Sequence, residues 1–133
     1  MRRALVVEDD AHNATLFRKL LEKRCGCEVT VTESVEEILG LCRAGGIELV
    51  IMDVSLKNSR WEGRDISGVE ICRILKQDPA TAHIPVVLAT AHAMRGDAES
   101  LMTESGADDY VAKPIVNHEE FVARIRTRLP EAA

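Results

Sequence analysis

A short apolar run that ends on an acid is the feature that most constrains the fold of this chain. Leu49, Val50, Ile51 and Met52 are followed directly by Asp53. Four consecutive apolar residues predict a strand covered on both faces, which is typical of a central strand in a parallel sheet flanked by helices. Ligands bind at the carboxyl ends of such strands, so Asp53 is a candidate functional residue.

Strand and helix patterns alternate along the rest of the chain. Besides the run at 49–53, strands are predicted at 4–7, 27–32, 84–90 and 109–112, and a helical pattern follows each strand. Five strands alternating with five helices predict an α/β fold, a three-layer sandwich around a parallel sheet. The first, third and fourth strands are apolar throughout and should be central, whereas the second alternates as an edge strand does. This predicts the strand order 2-1-3-4-5.

Length and charge narrow the class of protein. The 133 residues fit a single domain over 1–133, and its 22 acidic and 17 basic residues give a formal net charge of −5. The basic residues are spread along the chain, which disfavours direct nucleic-acid binding. We find no signal peptide and no apolar run long enough to span a bilayer, so we expect a cytoplasmic protein without membrane insertion. The chain ends just after the last predicted helix, so we expect it to act without an attached output domain.

The cysteines are Cys25, Cys27, Cys42 and Cys72. Cys42 and Cys72 occupy apolar positions of predicted helices, and the other two flank Gly26 at a predicted turn. We interpret all four as buried free thiols, because they are too scattered for a zinc site and a cytosolic chain rarely forms disulfides.

Reactive side chains follow four of the five predicted strands. Glu8 and Asp9 follow the first strand, Asp53 the third, Thr90 ends the fourth and Lys113 follows the fifth. In a parallel sheet these ends lie side by side, so three carboxylates should meet and should need a cation, for which Mg²⁺ or Mn²⁺ is suitable. A lysine and a threonine complement the charge of a phosphoryl group. The set predicts a carboxylate nucleophile that forms an aspartyl phosphate.

The sequences around these residues resemble those of a known family. Four segments are similar to successive motifs of the response regulator receiver domain of two-component signalling. They are Leu5–Asp10 (LVVEDD), Ile51–Asp53 (IMD), Ala89–Ala91 (ATA) and Tyr110–Pro114 (YVAKP). The similarity covers nearly the whole chain in the right order. It implies a flavodoxin-like (βα)5 fold.

The resemblance assigns a role to each of the acids. It implies that Asp53 is the phosphoacceptor and that Glu8 and Asp9 hold Mg²⁺ together with Asp53. Ser55 would contribute its backbone carbonyl to the metal.

The resemblance also implies a switch. Thr90 would be the hydroxyl that moves toward the phosphoryl group, Lys113 its ion-pair partner, and Tyr110 an aromatic side chain whose rotamer follows activation. The alternative for Tyr110 is ordinary half-buried packing. Family members usually have a cis bond at the position of Lys113-Pro114, so a cis bond is expected here.

One segment departs from the family pattern. Lys57 stands where receivers commonly have a proline, and the matching glycine is Gly68, which makes the loop at about 54–66 longer than usual. Trp61 in this loop is either a local anchor or a partner contact. The run His92–Met94 either shapes access to the phosphoryl group or caps the next helix.

These features predict a phosphoacceptor that receives its phosphoryl group from a sensor histidine kinase or a histidine phosphotransfer protein. The fifth strand with the fourth and fifth helices, around Ala93–Asp97 and Tyr110, would then bind a downstream protein. Two alternatives remain. A haloacid dehalogenase-type phosphatase would need a second acid two residues after the nucleophile, where this chain has Ser55. A receiver-like module that signals without phosphorylation is favoured only by the long loop.

Overall fold

Five strands and five helices alternate in the structure, a computed structural model that describes residues 2–56, 60–91 and 97–129. The strands of the main sheet are β1 (Arg2–Val7), β2 (Cys27–Thr32), β3 (Leu49–Asp53), β6 (Val86–Thr90) and β7 (Asp109–Ala112). A hairpin contributes β4 (Arg60–Trp61) and β5 (Arg64–Asp65). The helices are α1 (Ala11–Cys25), α2 (Val35–Ala44), α3 (Gly68–Gln77), α4 (Asp97–Ser105) and α5 (His118–Arg128).

The main sheet is parallel and has the order β2-β1-β3-β6-β7. When the two hairpin strands are left out of the count, this is the predicted order 2-1-3-4-5, so the prediction is confirmed. All five residues of β3 are buried, as its apolar run predicts. The fourth strand begins at Val86 instead of the predicted Ile84, because Pro85 has no N–H for the ladder and Ile84 N–H closes a turn to Thr81.

Helices cover both faces of the sheet and divide the core in two. On one face, Phe17 of α1 and Phe121 of α5 stack with ring centroids 5.6 Å apart over Val6 and Ile51. The other face buries alternate residues of the same strands under α2 and α3. That cluster includes Leu5, Val50, Met52, Ile38 and Leu75. Central strands therefore bury both faces, which fixes the register and with it the positions of the strand ends.

The four cysteines are free thiols inside the protein. Burial raises the pKa of the Cys42 and Cys72 thiols to about 11, so both are protonated at neutral pH. Among the described residues, no helix combines the length and apolarity that crossing a bilayer would require.

The long loop after β3 contains the antiparallel hairpin that sequence analysis did not predict. Its turn residues Glu62 and Gly63 have φ values of 54° and 81°, as a two-residue hairpin turn requires. Trp61 is half-buried and packs against the core cluster beneath α2 and α3, which supports its role as a local anchor. Arg64 Nη1 lies 2.7 Å from Glu70 Oε2, and this ion pair connects the hairpin to α3.

The base of this loop is closed by backbone contacts. Gly68 N–H donates to the carbonyl of Val54 over 3.1 Å, at the point where α3 begins. A Cβ atom at Gly68 would collide with the carbonyl oxygen of Asp53, so only glycine fits this close approach. Ser67 caps α3 and forms a capping box with Glu70. The start of α3 is thus held directly against the end of β3.

Candidate functional site

Asp53 lies at the carboxyl end of β3, between β1 and β6, and is 2% exposed. Its Oδ1 atom accepts hydrogen bonds from the backbone N–H of Ser55 at 3.1 Å and from Lys113 Nζ at 2.9 Å. The carboxylate is therefore fixed in orientation by two donors, one from the loop after β3 and one from the residue that follows the edge strand β7.

Glu8 and Asp9 follow β1 directly and lie beside Asp53. Carboxylate oxygens of the three residues all lie within 4.8 Å of one another. The backbone N–H of Asp10 donates to Glu8 Oε2 over 3.2 Å, and the Asp10 side chain caps α1. The N-cap residue of α1 thus holds the Glu8 side chain in place.

Lys113 reaches the same acids from the end of β7. Its backbone N–H donates to the carbonyl of Thr90 at 2.8 Å, which continues the pairing of β7 with β6 beyond the last assigned residues. Its Nζ lies 2.9 Å from Asp53 Oδ1 and 3.2 Å from Glu8 Oε1, and only 12% of its side chain is exposed. One ammonium group therefore bridges two buried carboxyl groups.

Burial, hydrogen bonds and neighbouring charges shift the pKa values of Glu8 and Asp53 in opposite directions. Burial first, and then the hydrogen bond with Asp53, raise the pKa of Glu8 to about 7. Burial also opposes ionisation of Asp53, but hydrogen bonds with Glu8, Lys113 and the Ser55 N–H outweigh it and lower the pKa of Asp53. Burial works against the charged form of Lys113, yet its two carboxylate neighbours raise its pKa. The site therefore favours the ionised form of Asp53 and the protonated form of Glu8.

The chemistry of this cluster fits a divalent cation. Three carboxyl groups meet, and their oxygen atoms are the ligands that Mg²⁺ and Mn²⁺ prefer. Glu8 carries a raised pKa although Lys113 lies beside it, so one ammonium group is not enough to keep both buried acids ionised. A cation at the cluster would let Glu8 release its proton.

Thr90, Ser55 and Tyr110 are the remaining predicted site residues, and each has different surroundings in the structure. Thr90 is 1% exposed and is the last residue of β6, next to Ala89, which is paired with Asp53. Ser55 contributes its backbone N–H to Asp53. Tyr110 is half-buried in β7 and packs on the α3 side of the sheet, with the Arg124 guanidinium carbon 5.9 Å from its ring centroid. The expected cis bond at Lys113-Pro114 is confirmed.

Part of the sequence prediction concerns residues that the structure does not describe. Lys57 and the run His92–Met94 lie outside the described residues, as does most of the segment Ala93–Asp97 on the expected partner face.

Two residues near the site were given no role by sequence analysis. Asp10 orients Glu8, and the signal for it is an aspartate just before a helix. Gly68 permits the contact with Asp53, but a lone glycine in sequence does not show which backbone approaches it.

Comparison with known proteins agrees with this geometry. The family model described as "Response regulator receiver domain" matches residues 4–126. The polar-differentiation response regulator DivK of Brucella ovis is 37% identical over 128 residues, which are 96% of each protein.

Two solved structures extend the comparison. The receiver domain of a sensor histidine kinase from Pseudomonas aeruginosa, solved with magnesium coordinated in its active site cleft, is 25% identical. It has a TM-score of 0.76 and covers 96% of each chain. The chemotaxis protein CheY4 of Vibrio cholerae, at 19% identity, shares the fold with a TM-score of 0.79 over 97% of this chain and 99% of its own. The chain therefore belongs to the response regulator receiver domain family, whose members are phosphoacceptors of two-component signalling.

Proposed function

We propose that Asp53 of this protein accepts a phosphoryl group from the phosphohistidine of a sensor histidine kinase or a histidine phosphotransfer protein. The observation that carries the proposal is the contact of Lys113 Nζ with Oδ1 of the buried Asp53 at 2.9 Å, beside two further carboxyl groups. A buried, ionised carboxylate that is held between hydrogen-bond donors is a suitable nucleophile.

Glu8, Asp9 and Asp53 would hold a divalent cation through their carboxylates, and Ser55 through its backbone carbonyl. The convergence of the three acids within 4.8 Å supports this assignment, as does the magnesium in the similar receiver domain from Pseudomonas aeruginosa. When bound, Mg²⁺ offsets the negative charge of the transferring phosphoryl group.

Asp53, Lys113 and Thr90 have different roles in the proposed phosphoryl transfer. Because Oδ1 of Asp53 already accepts from Ser55 and Lys113, we assign the attack on phosphorus to Oδ2. The new O–P bond forms while the P–N bond of the phosphohistidine breaks, and its electron pair stays on the imidazole nitrogen. Lys113 and the Thr90 hydroxyl would then contact the oxygens of the phosphoryl group.

Phosphorylation would change the surface formed by α4, β7 and α5. Thr90 ends β6 and is followed by the segment that leads to α4, so a shift of its hydroxyl toward the phosphoryl group would move that segment. Tyr110 would change rotamer with it and alter the contact surface for a downstream protein. Four free thiols fit a reducing compartment, so we place this signalling in the cytoplasm.

Incubation with acetyl phosphate and Mg²⁺ tests the proposal. Intact-protein mass spectrometry should detect one added phosphoryl group, which hydroxylamine removes, and the gain should disappear when Mg²⁺ is chelated. Asp53→Asn should abolish the gain, whereas Asp65→Asn, which changes an exposed aspartate of the hairpin, should retain it. Thermal denaturation of each variant establishes that it is folded.

Modification of folded Asp53→Asn to the wild-type level would overturn the assignment of the phosphoacceptor. Absence of any modification in wild-type protein that does bind Mg²⁺ would favour a binding module that works without phosphorylation. Steady hydrolysis of p-nitrophenyl phosphate over many turnovers would instead favour a phosphatase.

A further inference from the structure

The outer edge of β7 is covered by side chains of its own chain. β7 pairs with β6 on one side, and within the described residues no strand pairs with its other side. Lys113 N–H donates to the Thr90 carbonyl, and backbone groups of a strand alternate in direction. The backbone N–H and C=O of Tyr110, three residues earlier, therefore point away from β6, where a further strand would pair.

Side chains already occupy these outward groups. The Tyr110 N–H donates to Asp109 Oδ1 at 2.8 Å, and the Tyr110 carbonyl accepts from Arg124 Nη1 at 2.8 Å. The carbonyl of Asp108, just before the strand, accepts from Arg128 Nη2 at 2.9 Å. We call Asp109, Arg124 and Arg128 the edge cap.

The edge cap is linked internally. Arg124 Nη1 also lies 2.9 Å from Asp109 Oδ1, so the carboxylate that accepts from the Tyr110 N–H holds the guanidinium that donates to the Tyr110 carbonyl. The same guanidinium lies over the Tyr110 ring. A single ion pair thus occupies both hydrogen-bonding groups that one residue would offer to a partner strand.

The opposite edge of the sheet has a weaker form of the same arrangement. Arg18 of α1 donates from Nη2 to the carbonyl of Val29 in β2 over 3.4 Å. At both edges an arginine of a flanking helix reaches a strand carbonyl. The contacts at β7 are shorter and more numerous, so β7 is the edge where we expect the larger effect.

We propose that the edge cap keeps two copies of this chain from pairing strand to strand along β7. An uncovered edge strand offers a ready template for another chain, and in a solution of this protein the available strands belong to further copies. A groove of about 360 Å³ adjoins β7, with Val111, Ile115 and Phe121 among its lining residues. Val116 at its rim is 88% exposed, so a strand paired with an uncapped β7 would also bury apolar surface.

The test compares variants that differ in the cap. Arg124→Ala/Arg128→Ala removes both guanidinium groups, and Arg126→Ala on the same helix is the matched control. Arg126 makes no hydrogen bond to β7 among the residues described. Light scattering after gel filtration, over a range of protein concentrations, should give the double variant at least twice the mean mass of the wild type at high concentration. The control should match the wild type.

A third substitution separates strand pairing from partial unfolding. Ala112 is exposed, and its N–H points away from β6, so Ala112→Pro removes a donor from the outer edge only. Added to the double variant, it should return the mass to the wild-type value. The proposal is overturned if the double variant has the wild-type mass at every concentration, or if its association persists when Ala112→Pro is present.

Discussion

Lys113 Nζ lies 2.9 Å from Asp53 Oδ1, although the two residues are 60 positions apart in the chain. The contact forms because β3 and β7 are both parallel strands whose carboxyl ends lie on either side of β6. It joins an ionised carboxylate to an ammonium group that also contacts Glu8. The same contact should therefore contribute to stability and to phosphorylation.

Lys113→Met should weaken both properties. The substitution leaves the buried carboxyl groups of Glu8 and Asp53 without the ammonium group that contacts both of them. We therefore expect the free energy of unfolding to fall by about 2 to 4 kcal/mol at pH 8 in the absence of Mg²⁺. Labelling by acetyl phosphate should slow at least about tenfold, because a positive charge beside the phosphoryl group is lost. Urea unfolding and mass spectrometry measure the two effects. Lys19→Met on the exposed side of α1 is the control, and equal labelling rates for the two variants would contradict the role of Lys113.

Stability without Mg²⁺ should decrease as the pH rises through neutrality. The pKa of Glu8 is raised from its ordinary value of 4.5 to about 7 in the folded protein, so the folded state binds this proton more tightly than the unfolded state does. The resulting contribution to stability is fully present below the ordinary pKa of 4.5 and is lost as the pH rises through about 7. The lowered pKa of Asp53 has the opposite effect, but only in acid, below its ordinary value of 3.8. We expect a loss of about 1 to 3 kcal/mol between about pH 5 and about pH 8.

Urea unfolding in EDTA across this pH range measures the effect. Glu8→Gln should flatten the dependence, whereas Glu22→Gln on the surface of α1 should leave it unchanged. Stability that is constant or rises with pH in wild-type protein would show that Glu8 is ionised in the folded state.

Asp9→Asn should weaken cation binding while keeping the fold. Replacement of one of three carboxylates should lower the affinity for Mg²⁺ at least about tenfold, which corresponds to about 1.4 kcal/mol. Thermal denaturation over a series of Mg²⁺ concentrations measures the affinity, because an ion that binds the folded state raises the melting temperature. Asp65→Asn should respond to Mg²⁺ as the wild type does. An unchanged response of Asp9→Asn would remove Asp9 from the ligand set.

Gly68→Ala should be destabilising and Gly40→Ala should not. The methyl group at position 68 would overlap the Asp53 carbonyl and displace β3 or α3, at a cost of about 1 to 3 kcal/mol. Gly40 lies within α2, and outside that helix none of the described residues comes within 4 Å of the position a methyl group would take. Alanine there should therefore stabilise the protein by up to about 1 kcal/mol. Chemical denaturation compares the two, and stability of Gly68→Ala equal to the wild type would show that the backbone of Asp53 can move without penalty.

The strand order could be predicted because burial leaves a clear pattern in these strands. The unbroken run at Leu49–Met52 belongs to a strand covered on both faces, and the alternation at Val29 and Val31 belongs to an edge. The hairpin in the long loop could not be predicted, because each of its strands has two residues. Its position depends on the turn at Glu62-Gly63 and on the packing of Trp61, which is a tertiary contact.

The meeting of the three acids could be predicted from the sequence, but the difference between their pKa values could not. Strand ends indicate which acids meet, because parallel topology brings Glu8, Asp9 and Asp53 to one edge. The opposite pKa shifts of Glu8 and Asp53 depend on burial and on distances of a few ångströms to Lys113. The hydrogen bond from the Asp10 N–H to Glu8 likewise depends on the geometry at the start of α1, which the sequence pattern does not indicate.

The hydrogen bond from Gly68 N–H to the Val54 carbonyl isolates the long loop from the acids beside it. Since the two ends of the loop are joined at this bond, we expect residues inserted beyond it to leave Asp53 in place. Each doubling of a flexible loop adds only about 0.6 kcal/mol of closure entropy. The turn at Glu62-Gly63 is therefore the position where we expect an inserted peptide epitope or fluorescent tag to leave the acid cluster intact.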